Sequence, residues 1–151
     1  MGHGVEKNYA VALTWYERCK KIRLVVAYNN SGIIYDKGGY GVDQDYVKAV
    51  EFYRKASDLG NALATFNLGY MYFNGKGVEQ SFVEARKFYK KSADKNDDDA
   101  QYKLGLMIIK GQGVGVRSVS GGIILIEKAA EQGNKKAKDF LREIESVTDR
   151  T

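Results

Sequence analysis

The chain has 151 residues, a formal net charge of +5, 44% hydrophobic and 28% charged residues, a composition that folds and excludes an intrinsically disordered chain. At this length folding buries roughly 68–70% of the unfolded surface, so one domain or one short repeat array stands without a disulfide or metal staple. A single cysteine and a single histidine exclude an internal disulfide and the usual zinc ligand sets, and no apolar run approaches the roughly 20 residues that cross a bilayer.

The opening Met1-Gly2-His3-Gly4-Val5-Glu6-Lys7 has neither the basic start nor the apolar stretch of a secretory leader. With no cysteine pair, a cytoplasmic location is favoured. Proline is absent beside 17 glycines, so glycine, Asn and Asp must make the turns.

The glycines keep a beat. Gly2-His3-Gly4-Val5, Gly39-Tyr40-Gly41-Val42, Gly75-Lys76-Gly77-Val78 and Gly111-Gln112-Gly113-Val114 follow one another at intervals of 37, 36 and 36 residues. A period of about this length without strand alternation predicts a helical solenoid, each unit a pair of helices, A then B.

Residues 1–22 read as a half-unit: a Gly-x-Gly-Val turn, then a B helix starting at Asn8 and presenting Ala12, Trp15, Tyr16 and Cys19. That face is expected to need a partner or a second copy to cover it. Cys19, aligned with Ala56, Ser92 and Ala129, is expected in the core, where free cysteines usually sit.

The unit 23–60 has an A helix with Ala27, Ser31, Gly32 and Tyr35 on one stripe. Its B helix carries Tyr46, Ala49, Phe52, Tyr53 and Ala56, opened by Asp45 and closed at Gly60. The unit 61–96 repeats this with Ala64, Leu68, Gly69 and Tyr72, then a B helix from Ser81 to Asn96 in which Ser81 and Glu84 form a capping-box pattern. The unit 97–133 has Ala100, Leu104, Gly105 and Ile108, then a diverged B helix from Ser118 to Gly133. Interior glycines cost about 1 kcal/mol of helix propensity, so Gly69 and its equivalents are expected where a neighbouring helix approaches closely. Over 134–151 a last helix from about Lys135 to Val147 keeps Ala137 and Leu141, replaces the glycine by Arg142, and reads as a cap.

The run Leu68-Gly69-Tyr70-Met71-Tyr72-Phe73-Asn74-Gly75-Lys76-Gly77-Val78, followed by Ala85, Phe88-Tyr89 and Ser92-Ala93, resembles the Sel1-like repeat, and the resemblance covers nearly the whole chain. It implies an all-α, right-handed superhelix of α/α repeats, related in geometry to tetratricopeptide repeats, and a role as adaptor or scaffold rather than enzyme. In the cysteine-rich secreted branch of that family a cysteine would stand at Ser57, paired with one near Thr65. Neither is a cysteine here.

Short catalytic look-alikes have simpler readings. Ser92-Ala93-Asp94-Lys95 matches Ser-x-x-Lys, but no Ser-Asp-Asn or Lys-Thr-Gly follows, and Ser92 aligns with packing alanines. A serine acyl hydrolase or peptidoglycan-recognising protein on this pair stays the remote alternative. Gly111-Gln112-Gly113-Val114-Gly115 follows a helix and lacks the strand that a phosphate loop requires. His3 has no local nucleophile or carboxylate, and Asp97, Asp98 and Asp99 suit a helix N-terminus better than calcium. No cofactor or metal is expected. The basic clusters at Lys20, Lys21 and Arg23, at Arg86, Lys87, Lys90 and Lys91, and at Lys135, Lys136 and Lys138 read as solvated faces, with no nucleic-acid motif and no membrane segment beside them.

If the A helices line the concave surface, the positions off their packing stripe face the groove. These are Asn29, Asn30, Ile33 and Lys37, then Phe66, Asn67, Tyr70 and Asn74, then Tyr102, Lys103, Leu106 and Lys110. Amides that pair with peptide backbone, lysines that meet carboxylates and aromatic anchors suit a protein or peptide ligand; an ordinary half-polar helix face is the other reading. Self-assembly into a homo-oligomer through residues 1–22 is the alternative function.

Overall fold

The computed structural model describes residues 3–39 and 41–148, with side chains from 14 to 147, Tyr40 apart. The expectations that rest on Gly2, on the His3 and Ala12 side chains and on Tyr40 lie outside the described residues. Among the described residues seven helices run in chain order: α1 (His3–Lys37), α2 (Tyr46–Asp58), α3 (Ala62–Asn74), α4 (Phe82–Ala93), α5 (Asp98–Lys110), α6 (Val119–Glu131) and α7 (Lys135–Thr148). Among the described residues there is no strand beyond an isolated bridge between Gly39 and Val42. The result is an all-α repeat solenoid in which α3, α5 and α7 are A helices and α2, α4 and α6 are B helices.

The helix boundaries follow from the caps. Asp45, Ser81 and Ser118 accept from the backbone N–H of Lys48, Glu84 and Gly121 at 3.0, 3.2 and 3.2 Å, satisfying amides that a helix start leaves unpaired. The capping box at Ser81 is only half made. Its own N–H donates to the Tyr72 carbonyl at 2.9 Å, while Glu84 turns to Lys87 at 2.6 Å. The N–H groups of Asp45 and Ser118 likewise donate to Tyr35 and Ile108, so each B helix starts tied to its own A helix. The B helices close at Gly60, Asn96 and Gly133, all at positive φ (97°, 68° and 102°), and the A helices restart at Asn61, Asp97 and Asn134, which cap Ala64, Ala100 and Ala137.

The turn motif has a packing reason. Gly75 ends α3 in the left-handed region, and a side chain at Gly77 would run into the backbone of Tyr46 and Val47 at the start of α2. The loop closing one A helix therefore rests on the B helix of the unit before it, as Gly113 does on Phe82.

Within each unit the B helix presses a large side chain on the A-helix glycine. A Cβ on Gly32, Gly69 or Gly105 would stand 2.5, 2.7 or 2.6 Å from atoms of Tyr53, Tyr89 and Ile126. Tyr53 and Tyr89 are 1% exposed, and burial drives both hydroxyls well above the usual tyrosine range, with the Asp36 carboxylate adding to the shift at Tyr53. Aromatic stacking repeats with the unit: Tyr35 on Phe52 at 5.6 Å and Tyr72 on Phe88 at 5.4 Å. The three core clusters centre on Tyr53 with Leu68, on Tyr89 with Leu104, and on Ile126 with Ala137.

The first 37 residues depart from expectation. Residues 3–5 are helical rather than a turn, Asn8 lies inside α1 rather than at its start, and no break falls near residue 22. The reason is at the junction. Where the later units place Gly60-Asn61, Asn96-Asp97 and Gly133-Asn134, this chain has Arg23-Leu24, which offers neither a left-handed stop nor a cap. α1 therefore runs on as one helix of 35 residues. Its N-terminal half does not fold back, so Cys19 is exposed rather than in the core, and Ala27 is exposed although Ala64, Ala100 and Ala137 are fully buried. The helix ending at Lys37 also makes Gly38, at φ 71°, the counterpart of Gly75.

Candidate functional site

Four of the anticipated groove residues come together. Lys37, Phe66, Asn67 and Tyr70 line an open hollow of about 530 Å³ between α1 and α3, completed by Asp36, Gln44 and Lys76. Phe66 is fixed from behind by Tyr89, 5.4 Å away, and Tyr70 packs against the first core cluster. Gln44 donates to the Asp36 carbonyl at 2.7 Å, pinning the loop to the end of α1. Lys76 sits over the rings of Tyr46 and Tyr70 at 5.0 and 5.1 Å and donates to the Tyr70 hydroxyl at 3.5 Å, a cation–π arrangement that orients the ammonium group.

The other eight positions divide. Asn29 is buried, and its Oδ1 has no hydrogen-bond partner. Asn30 and Lys110 are exposed, as is Asn74, whose amide returns to the Tyr70 carbonyl at 2.8 Å. Ile33 packs on the first cluster. In the last unit α7 covers part of the face: Tyr102 meets Phe140 edge-on at 6.4 Å, and Leu106 joins the same cluster. Burial holds Lys103 below the usual lysine range, aided by Lys136 nearby. Lys76, Gln44 and Asp36 were missed because they read as turn filler or helix end, and only the loop's return onto α1 and α2 brings them to the hollow.

The motif residues are accounted for structurally. Ser92 is buried and donates to the Ala62 carbonyl at 2.8 Å, while Lys95 donates to the Gly60 carbonyl at 2.5 Å. Each closes the joint between units, and the two side chains do not bond to one another; the residues are linked through the backbone, where the Lys95 N–H donates to the Ser92 carbonyl at 2.9 Å. Ser57 and Thr65 meet at 2.8 Å, both fully buried. A second hollow of about 440 Å³, lined by Arg86, Lys90, Gln101, Ile108 and Lys128 among others, contains none of the anticipated residues. Among the described residues no group of His, Cys, Asp and Glu could hold a metal ion, and no helix is long and apolar enough to cross a membrane.

The Sel1 repeat model matches residues 1–18, 25–61, 62–97 and 98–134. The chain belongs to the Sel1 repeat family. Members of that family generally serve as protein–protein interaction scaffolds. Solved Sel1 repeat structures resemble this one. A Sel1 repeat protein from Oxalobacter formigenes is 36% identical over 75% of this chain and 46% of its own, with a TM-score of 0.70. The antigen c5321, described as protective and present in uropathogenic Escherichia coli strains, is 34% identical over 91% of this chain and 29% of its own, TM-score 0.77. Helicobacter pylori cysteine rich protein B is 25% identical over 93% of this chain and 99% of its own, TM-score 0.63. This Sel1 repeat chain thus spans less than half the length of the first two. Among curated proteins none matches.

Proposed function

We propose that this chain is a scaffold that holds an extended protein segment across its A helices, with the hollow between α1 and α3 as the anchor. The observation that carries this is the convergence of Phe66 and Tyr70 with Asn67, Lys37 and Lys76 in one open depression. Pre-positioned aromatic rings supply contact area at low entropic cost, an amide pairs with peptide N–H and C=O groups, and two lysines against one aspartate favour a segment carrying carboxylates. The aromatic walls are already held by Tyr89 and the first cluster, so little ordering is needed on binding.

A displayed library of random extended peptides, selected on the whole chain, tests this. Selected sequences are expected to combine an apolar or aromatic residue with Asp or Glu, and to lose binding at least tenfold against a variant carrying Lys37→Ala and Asn67→Ala. Selected peptides that bind the double variant unchanged would refute the assignment.

A further inference from the structure

We infer that two copies of this chain exchange the N-terminal halves of α1, each arm packing on the A-type segment, residues 25–37, of the other copy. The repeat itself supplies the template. Every later B helix buries its large side chain against the A helix that follows it: Tyr53 lies in one cluster with Ala64 and Leu68, Tyr89 with Ala100 and Leu104, and Ile126 with Ala137. One unit earlier the same alignment pairs Tyr16 with Ala27 and Ser31. Tyr16 is 65% exposed where Tyr53 and Tyr89 are 1%, and Ala27 is exposed where its three counterparts are buried. Both halves of a contact made three times elsewhere stand open in one chain.

They cannot close on each other. Tyr16 and Ala27 lie on a single helix, eleven residues and about 16 Å apart along its axis, because Arg23-Leu24 replaces the stop-and-cap pair.

A second copy is the occupant that fits. It carries the complementary half of each open surface, so a two-fold antiparallel crossing of the α1 helices satisfies both arms at once, as a closed, isologous interface requires. A head-to-tail stack on α7 of another copy fits less well. There the position that must be glycine to receive the large B-helix side chain, as at Gly32, Gly69 and Gly105, is Arg142.

The template also sets the test. Ser57 and Thr65 hydroxyls approach to 2.8 Å across a B-to-A joint, and their counterparts on α1 are Lys20 and Tyr28. The whole chain with Lys20→Cys, Tyr28→Cys and Cys19→Ser is oxidised and its mass read under denaturing conditions, beside light scattering of the native protein. Exchange is expected to give twice the chain mass in solution and a disulfide-linked pair of chains. Adding Arg23→Gly and Leu24→Asn restores the turn, and should give a monomer whose cysteines close within one chain. A native protein of single-chain mass at all concentrations, or a dimer whose Cys pair does not join chains, would overturn the inference. A turn variant that stays dimeric would overturn the role given to Arg23 and Leu24. None of these readings depends on the peptide-binding hollow.

Discussion

The ring of Tyr89 occupies the place a side chain on Gly69 would need, its Cδ1 2.7 Å from where that Cβ would stand. Replacing Gly69 by Ala gains about 1 kcal/mol of helix propensity, but it inserts a methyl against a fully buried ring, and such overpacking costs about 1–3 kcal/mol. The contact wins because the ring is enclosed by Phe66 and its own core cluster. Gly69→Ala is therefore expected to lower stability by up to about 2 kcal/mol net, read as a drop in Tm. Arg142, at the same register in α7, has no B helix upon it and only an exposed pairing with Asp139; Arg142→Ala should stay within about 0.5 kcal/mol. Equal effects at the two positions would contradict this account.

The buried hydroxyl pair has a direction. Thr65 donates to the Asn61 carbonyl at 2.7 Å, which leaves Ser57 as the donor in the 2.8 Å bond between them. Thr65→Val strands the Ser57 proton without an acceptor and should cost about 1–3 kcal/mol. Ser57→Ala leaves Thr65 its bond to Asn61 and should cost about 1 kcal/mol or less. Chemical denaturation of the two variants checks the order, and the reverse order would refute the assignment.

Asp97 makes stability depend on pH. Burial raises its pKa above the ordinary 3.8, and Asp99 and Asp98 push the same way, although its cap bond to Ala100 opposes them. A carboxyl whose folded pKa is raised favours the folded state below its unfolded pKa, and that contribution is lost as pH rises through the folded value. Asp97→Asn keeps the cap, since Asn caps as well as Asp and does so here at Asn61 and Asn134. The variant should therefore melt higher than the parent at pH 7, with the gain shrinking as pH falls through the raised folded value and gone below about 4. A variant less stable at pH 7 would contradict the desolvation argument.

The joint between units depends on Ser92 and Lys95 acting as donors to carbonyls. Ser92→Ala removes the bond to Ala62 and should cost about 1 kcal/mol, with no effect on peptide binding, since neither residue lines the hollow. Loss of binding without loss of stability would move the functional surface to this joint.

Much of the fold was legible because each unit spells out its own boundaries. Asp45, Ser81 and Ser118 at helix starts, and Gly60, Asn96 and Gly133 at helix ends, are local chemistry that reads directly from the chain. Gly69 was legible as a point of close approach, because an interior glycine recurring at the same register needs a neighbour; that the neighbour is Tyr89 is seen only in the structure. The misread residues depend on something absent. Cys19 was placed in the core by analogy with Ala56, but burial there requires the turn that Arg23 and Leu24 do not provide. Of the candidate site, Phe66, Asn67 and Tyr70 followed from register on one helix. Lys76 belongs to a loop whose course is set by Gly77 resting on Tyr46, a contact between units that periodicity does not reveal.

The most direct measurement is amide chemical-shift mapping of the isotopically labelled chain titrated with a selected peptide. The largest changes are expected at Lys37, Asn67, Tyr70 and Lys76, falling away toward α6 and α7. Changes concentrated instead on α4, α5 and α6 around Arg86, Gln101 and Lys128, with the α1–α3 hollow unmoved, would contradict it.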